Sequence, residues 1–96
     1  MENSHPYALI LPLIKRGCSY VVYAHVLDDE VIYVGCGSPL RPFHMSGRNR
    51  KWNTKTSGNR PNVRILSGHK KKSAALRAEL KFIEFFKPFC NSKEKT

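Results

Sequence analysis

Three groups of side chains in this sequence could do chemistry: an isolated glutamate, two closely spaced tyrosines, and a long basic run. Glu79 lies on a segment whose 3.6-residue period gathers Ala75, Leu76, Ala78, Leu80, Phe82, Ile83, Phe85 and Phe86 into one broad apolar arc. Arg77, Lys81 and Glu84 fill the remainder of the wheel, while Glu79 falls near the middle of the apolar arc. A carboxylate in such a place must be paired, protonated or bound to a metal, because an unpaired buried charge is costly. Glu84 has the same chemistry on the polar face and needs no such account. A salt bridge to a nearby cation is the structural alternative for Glu79.

The basic run ends at this glutamate. Between Glu30 and Glu79 lie 48 residues with no carboxylate and eleven Arg or Lys: Arg41, Arg48, Arg50, Lys51, Lys55, Arg60, Arg64, Lys70, Lys71, Lys72 and Arg77. Over all 96 residues the formal net charge is +10. A balance this one-sided implies a polyanionic partner, with nucleic acid first. Arg48, Arg50, Lys51 and Trp52 in one cluster, and Lys70, Lys71 and Lys72 in another, read as nucleic-acid contacts. The cations would hold the backbone, and Trp52 would stack on an unpaired base or anchor the packing.

The tyrosines depend on strand register. Tyr20–Val26 and Val31–Gly35 are rich in β-branched and aromatic residues, and Asp28-Asp29-Glu30 between them reads as a hairpin loop. A three-residue loop puts Leu27 opposite Val31, His25 opposite Tyr33 and Tyr23 opposite Gly35. Alternation then sends Val22, Ala24, Val26, Ile32 and Val34 to a core face, and Tyr23, His25 and Tyr33 to the other. Packing under a second layer is the plain alternative for these tyrosines.

The remaining elements follow from composition. Val63–Leu66 reads as a third strand, and Ser73 as the N-cap of a helix running to about Phe86, closed by Pro88. A short helix is expected after Pro39 or Pro42. Residues 7–14 form a short strand or an apolar arm, and residues 1–6 and 92–96 read as mobile ends. The divisions are an N-terminal arm over 1–19, a domain over 20–91 and a tail over 92–96. The fold expected is a small α/β (α+β) domain with a three-stranded, mainly antiparallel sheet flanked by helices. Length excludes a doubly wound nucleotide-binding fold or a barrel enzyme, and 41% hydrophobic residues exclude a disordered basic tail. Cys18, Cys36 and Cys90 are odd in number and widely spaced, which argues for a reducing, intracellular setting. No paired Cys or His spacing suggests structural zinc. No apolar run is long enough to cross a membrane, and no signal peptide is read.

At these residues the chain resembles the GIY-YIG nuclease family. The first motif stands as Val21-Val22-Tyr23 and the second as Tyr33-Val34-Gly35, with ten residues from tyrosine to tyrosine. The continuation Gly35-Cys36-Gly37-Ser38-Pro39-Leu40-Arg41, then Pro42-Phe43-His44, is similar to the branch in which YVGKG precedes an arginine and a nearby histidine. Ala78-Glu79, Phe82-Ile83 and Lys87-Pro88-Phe89-Cys90-Asn91 resemble the family's closing helix. The likeness covers residues 20 to 91. It departs from the pattern at Val21, where the family has glycine, and at Cys36, where lysine is frequent.

The resemblance implies a metal-dependent endonuclease hydrolysing DNA to a 5′-phosphate and a 3′-hydroxyl. Glu79 would hold a single Mg²⁺ or Mn²⁺, and Arg41 would grip the phosphate. Tyr23 or His44 would take a proton from the attacking water, Tyr33 would orient water or phosphate, and Asn91 would organise the site. Specificity would come from DNA structure, from dimerisation or from a partner protein, or the chain would cut with little selectivity. Roles in homing, restriction, repair or phage-encoded degradation are all open. A non-catalytic basic DNA- or RNA-binding module on the same scaffold is the rival reading.

Overall fold

The computed structural model describes residues 6–92, so His5 and most of both ends lie outside the described residues. Strands β1 (Tyr20–Leu27) and β2 (Glu30–Gly37) are joined by Asp28-Asp29 alone. Both aspartates have positive φ, 51° and 63°, the left-handed pair that suits a two-residue hairpin turn. Leu27 therefore pairs with Glu30, not with Val31. A bulge next restores the predicted register: Val26 pairs with Val31 but His25 with Tyr33, leaving Ile32 as the extra residue. Tyr23 stands opposite Gly35, as the sequence predicts. The bulge corrects one assignment, because it turns Ile32 to the same face as Tyr33, where it packs with Trp52 and Cys90.

The third strand, β3 (Asn62–His69), is longer than the Val63–Leu66 expected. It pairs antiparallel with β1, giving the order β2-β1-β3 with β1 in the centre. Every residue from Val21 to Val26 is consequently buried. Helix α3 (Lys72–Phe86) covers one face, where Ala75 joins Val22, Ala24, Val26 and Val34 and is surrounded by Ala78, Phe82, Ile83 and Phe86. The helix starts at Lys72, with Lys71 at its N-cap making no side-chain bond, so Ser73 lies inside it. It ends at Lys87, whose left-handed backbone (φ 48°) returns its N–H to the Ile83 carbonyl just before Pro88.

The opposite face is covered in two parts. Residues 6–15 form a helix, α1 (Pro6–Lys15), where the sequence left a strand or an arm open. Gly17, at φ 84°, ends it, and the Cys18 N–H closes on the Leu13 carbonyl. Ile10 is fully buried, and Leu13 lies so close to β3 that a Cβ on Gly68 would come within 2.9 Å of it. The N-terminal segment thus packs as part of the domain. The second part comprises a 3₁₀ turn (Arg41–Phe43) and helix α2 (Arg50–Thr56), which Asn49 caps by accepting the Trp52 N–H. The result is a three-layer α+β fold. No helix among the described residues is long and apolar enough to cross a membrane, and all three cysteines are free.

The hairpin turn carries a testable cost, since an L-residue in the left-handed region is strained and glycine is not. Asp29→Gly is expected to raise stability by up to about 1 kcal/mol, read as a higher urea midpoint with an unchanged slope. A lower midpoint would mean that the Asp29 side chain itself holds the turn.

Candidate functional site

The two tyrosines meet over a glycine. A Cβ built on Gly35 would lie 2.5 Å from the Tyr23 hydroxyl oxygen and 2.8 Å from the Tyr33 ring, so only glycine fits there. Gly37 does the same for Arg41, whose Cγ would come within 2.9 Å of an added Cβ. Two glycines on one strand therefore let the tyrosine pair and the base of Arg41 lie flat on β2. The Tyr23 and Tyr33 rings are 6.2 Å apart and tilted by 49°.

Arg48 locks this group. It is only 8% exposed, and its Nη1 donates to the Tyr23 hydroxyl at 2.7 Å. Its Nε and Nη2 donate to the His44 carbonyl at 3.0 and 2.8 Å, and Nη2 also to the Arg41 carbonyl at 2.9 Å. The guanidinium lies 5.5 Å from the Tyr23 ring centre and 5.4 Å from that of Tyr33. Burial pushes the Tyr23 phenol above its ordinary value, opposed by the hydrogen bond from Arg48.

His25 is fully buried beside them. The Trp52 indole N–H donates to its Nδ1 at 2.9 Å, so Nδ1 must be the acceptor. Nε2 then carries the proton and donates to the Pro42 carbonyl at 2.8 Å. Burial, above all, lowers His25 to about 4, with the Arg48 and Arg41 charges acting in the same direction. This imidazole is a neutral brace between β1, α2 and the turn at Pro42.

Two residues expected on the nucleic-acid surface are therefore internal. Trp52 is 5% exposed with its indole N–H committed to His25, and Arg48 spends its donors on the protein. Lys51 is half-buried and donates to the Ser92 carbonyl at 2.9 Å and hydroxyl at 2.8 Å. Arg50 and Lys70, Lys71 and Lys72 are exposed. Arg41 is half-buried, and the His44 side chain is exposed on the same loop. His69 pairs with the Ser67 hydroxyl at 2.8 Å.

Asn91 and Glu79 approach β2 from other elements, the 3₁₀ turn Phe89–Asn91 and helix α3. The Asn91 amide accepts from the Val34 N–H at 2.7 Å and donates to the Val34 carbonyl at 2.8 Å, on the strand's outer edge. Glu79 is half-buried on α3, and burial raises its carboxyl above the ordinary range. No salt bridge among the described residues involves it. It neighbours Cys36, whose thiol is raised by burial and further by the Glu79 charge. Cys36 packs toward α3 whereas Tyr33 packs toward Trp52, so Glu79 and the tyrosines flank opposite faces of β2. Among the described residues no three His, Cys, Asp or Glu side chains converge as a metal-ligand group. The Arg48–Tyr23 bond and the Trp52–His25 pair escape sequence reasoning; the one available signal was a histidine in the middle of an apolar strand.

No family model, curated protein or solved structure matches this chain.

Two outcomes follow from this geometry. Gly35→Ala should lower stability by about 1–3 kcal/mol, because its methyl must displace the Tyr23 ring; a thermal melt unchanged from wild type would refute the contact. His25 is neutral when folded and takes a proton near 6.5 when unfolded. Its contribution is therefore complete above that value and is lost as the pH falls toward about 4. The loss is on the order of 3 kcal/mol. Urea titrations at pH 7.5 and 5 should differ more for wild type than for His25→Gln; equal differences would show that His25 is not the source.

Proposed function

We propose that this chain is a metal-dependent endonuclease acting on the phosphodiester bonds of DNA. The observation that carries the reading is the convergence of Tyr23, Tyr33 and Arg41 over Gly35 and Gly37, at the start of the 48-residue acid-free stretch. Phosphodiester hydrolysis needs a positioned water, a fork of donors on the phosphate and relief of charge on the leaving oxygen. Arg41 supplies the fork, and its planar guanidinium matches paired oxygens better than an ammonium would. Tyr33, half-buried at the surface, hydrogen-bonds water or phosphate. Tyr23 is 1% exposed and holds its proton more firmly than a free phenol, so it orients its neighbours while the exposed His44 accepts the proton. Asn91 keeps the backbone of β2 in place.

Glu79 suits a divalent cation: it is a half-buried carboxylate without a cationic partner among the described residues. Mg²⁺ binds through one or two carboxylates and substrate phosphates and keeps several waters. The neighbouring Cys36 thiol is too soft to join it. When bound, the ion supplies charge neutralisation at the phosphate. The tyrosine side and Glu79 flank opposite faces of β2. That separation, with the burial of Tyr23, is the specific observation favouring a second reading: a basic nucleic-acid-binding module without catalysis.

Supercoiled plasmid distinguishes the two. Nicking with Mg²⁺, abolished by EDTA and reduced at least about 100-fold in Glu79→Gln, is expected of the enzyme. Binding without nicking under every divalent ion supports the module, and full cleavage by Glu79→Gln removes the metal ligand. Arg41→Ala should cut the single-turnover rate by about 100-fold while changing DNA affinity less than tenfold. Equal losses would make Arg41 a binding residue.

A further inference from the structure

Phe89 is an aromatic residue left half in solvent: it is 50% exposed in the 3₁₀ turn Phe89–Asn91. Two ammonium groups approach its ring, Lys51 at 5.4 Å and Lys55 at 6.0 Å from the centre. Both come from α2, so they reach the ring from that helix. Arg50, Lys51, Thr54 and Phe89 line a shallow hollow of about 190 Å³. Among the described residues Lys55 has one acidic neighbour, Glu30, at 3.7 Å across an exposed pair, which contributes little. Arg50 is exposed.

An apolar core has no use for this arrangement, and a duplex backbone would use the cations but not the ring. A strand with an unpaired base uses both, since bases stack on exposed aromatic rings while flanking phosphates meet cations. We infer that the hollow around Phe89 binds an unpaired base of single-stranded DNA, Phe89 stacking on the base while Arg50 and Lys55 contact the phosphates beside it. The platform is two residues from Asn91, which is bonded to Val34 on the edge of β2. A base held there lies beside the turn that carries Asn91, making DNA with a frayed, flapped or single-stranded segment the preferred substrate. The inference rests on the nuclease reading only for the word substrate; the platform itself is tested by binding.

The experiment uses the full chain in EDTA, with an oligothymidylate carrying one 2-aminopurine and a blunt duplex of the same length. Wild type should quench 2-aminopurine on binding. Phe89→Leu, which keeps apolar bulk without a ring, should lose the quenching and bind the single strand roughly five- to 100-fold more weakly, with duplex affinity within about twofold. Phe89→Tyr should behave as wild type. Absence of quenching by the wild-type protein, equal single-strand affinity in Phe89→Leu, or a parallel loss on the duplex overturns the proposal. So does displacement of the oligothymidylate by polyglutamate as efficiently as by unlabelled oligothymidylate, because that surface would then recognise charge alone. Quenching that persists in a protein unable to nick plasmid leaves the platform standing and removes the nuclease, and the reverse result does the opposite.

Discussion

The arrangement of this molecule depends on one buried guanidinium that has no carboxylate partner among the described residues. Arg48 lies under the loop that follows β2 and takes as partners two backbone carbonyls, of Arg41 and His44, and the hydroxyl of Tyr23. A buried charge is tolerated only when its donors are satisfied, and here the satisfaction is obtained from the loop itself. Arg48 thus ties residues 41–48 to β1 and sets where Arg41 leaves the surface of β2. His25 repeats the device with no net charge, joining Trp52 to the Pro42 carbonyl. Both braces run from the central strand to the helical layer above it, which makes the tyrosine face a structural interior as well as a candidate site.

Much of the fold can be read from residue order. The alternation in Tyr20–Val26, the β-branched run of β2, and the apolar period closed by Pro88 each correspond to an element found. The register of His25 with Tyr33 and of Tyr23 with Gly35 is also legible, although through a shorter turn and a bulge whose effects cancel. Ile32 shows why the cancellation was hidden. Counting residues along a strand assumes uniform alternation, and a bulge breaks it at one position. The α1 segment was ambiguous because a short apolar run with an internal proline has no decisive period; its packing on Gly68 decides it.

The candidate site was legible as a set of residue types and less so as an assembly. The pairing of the tyrosines follows from strand register, a local property. The partners of Arg48 and Trp52 do not, because a basic residue and an indole in a polar segment read as surface chemistry until tertiary packing claims their donors. Glu79 was identified by its period as an unusual carboxylate, and it is half-buried with a raised carboxyl. Period alone says nothing about which face of the sheet a helix covers. The separation of Glu79 from the tyrosines by the thickness of a strand is a fact of topology.

The amide of Asn91 has a consequence for how the chain is made. An edge strand with open N–H and C=O groups is a template for any other extended segment. At Val34 that role is taken by one side chain, 57 positions further along the chain. On a ribosome β1 and β2 are synthesised well before residue 91, so any hairpin that forms early has its outer edge at Val34 unguarded. The turn at Phe89–Asn91 is then more than a closing flourish of α3: its arrival ends the period in which two nascent copies could pair through that position.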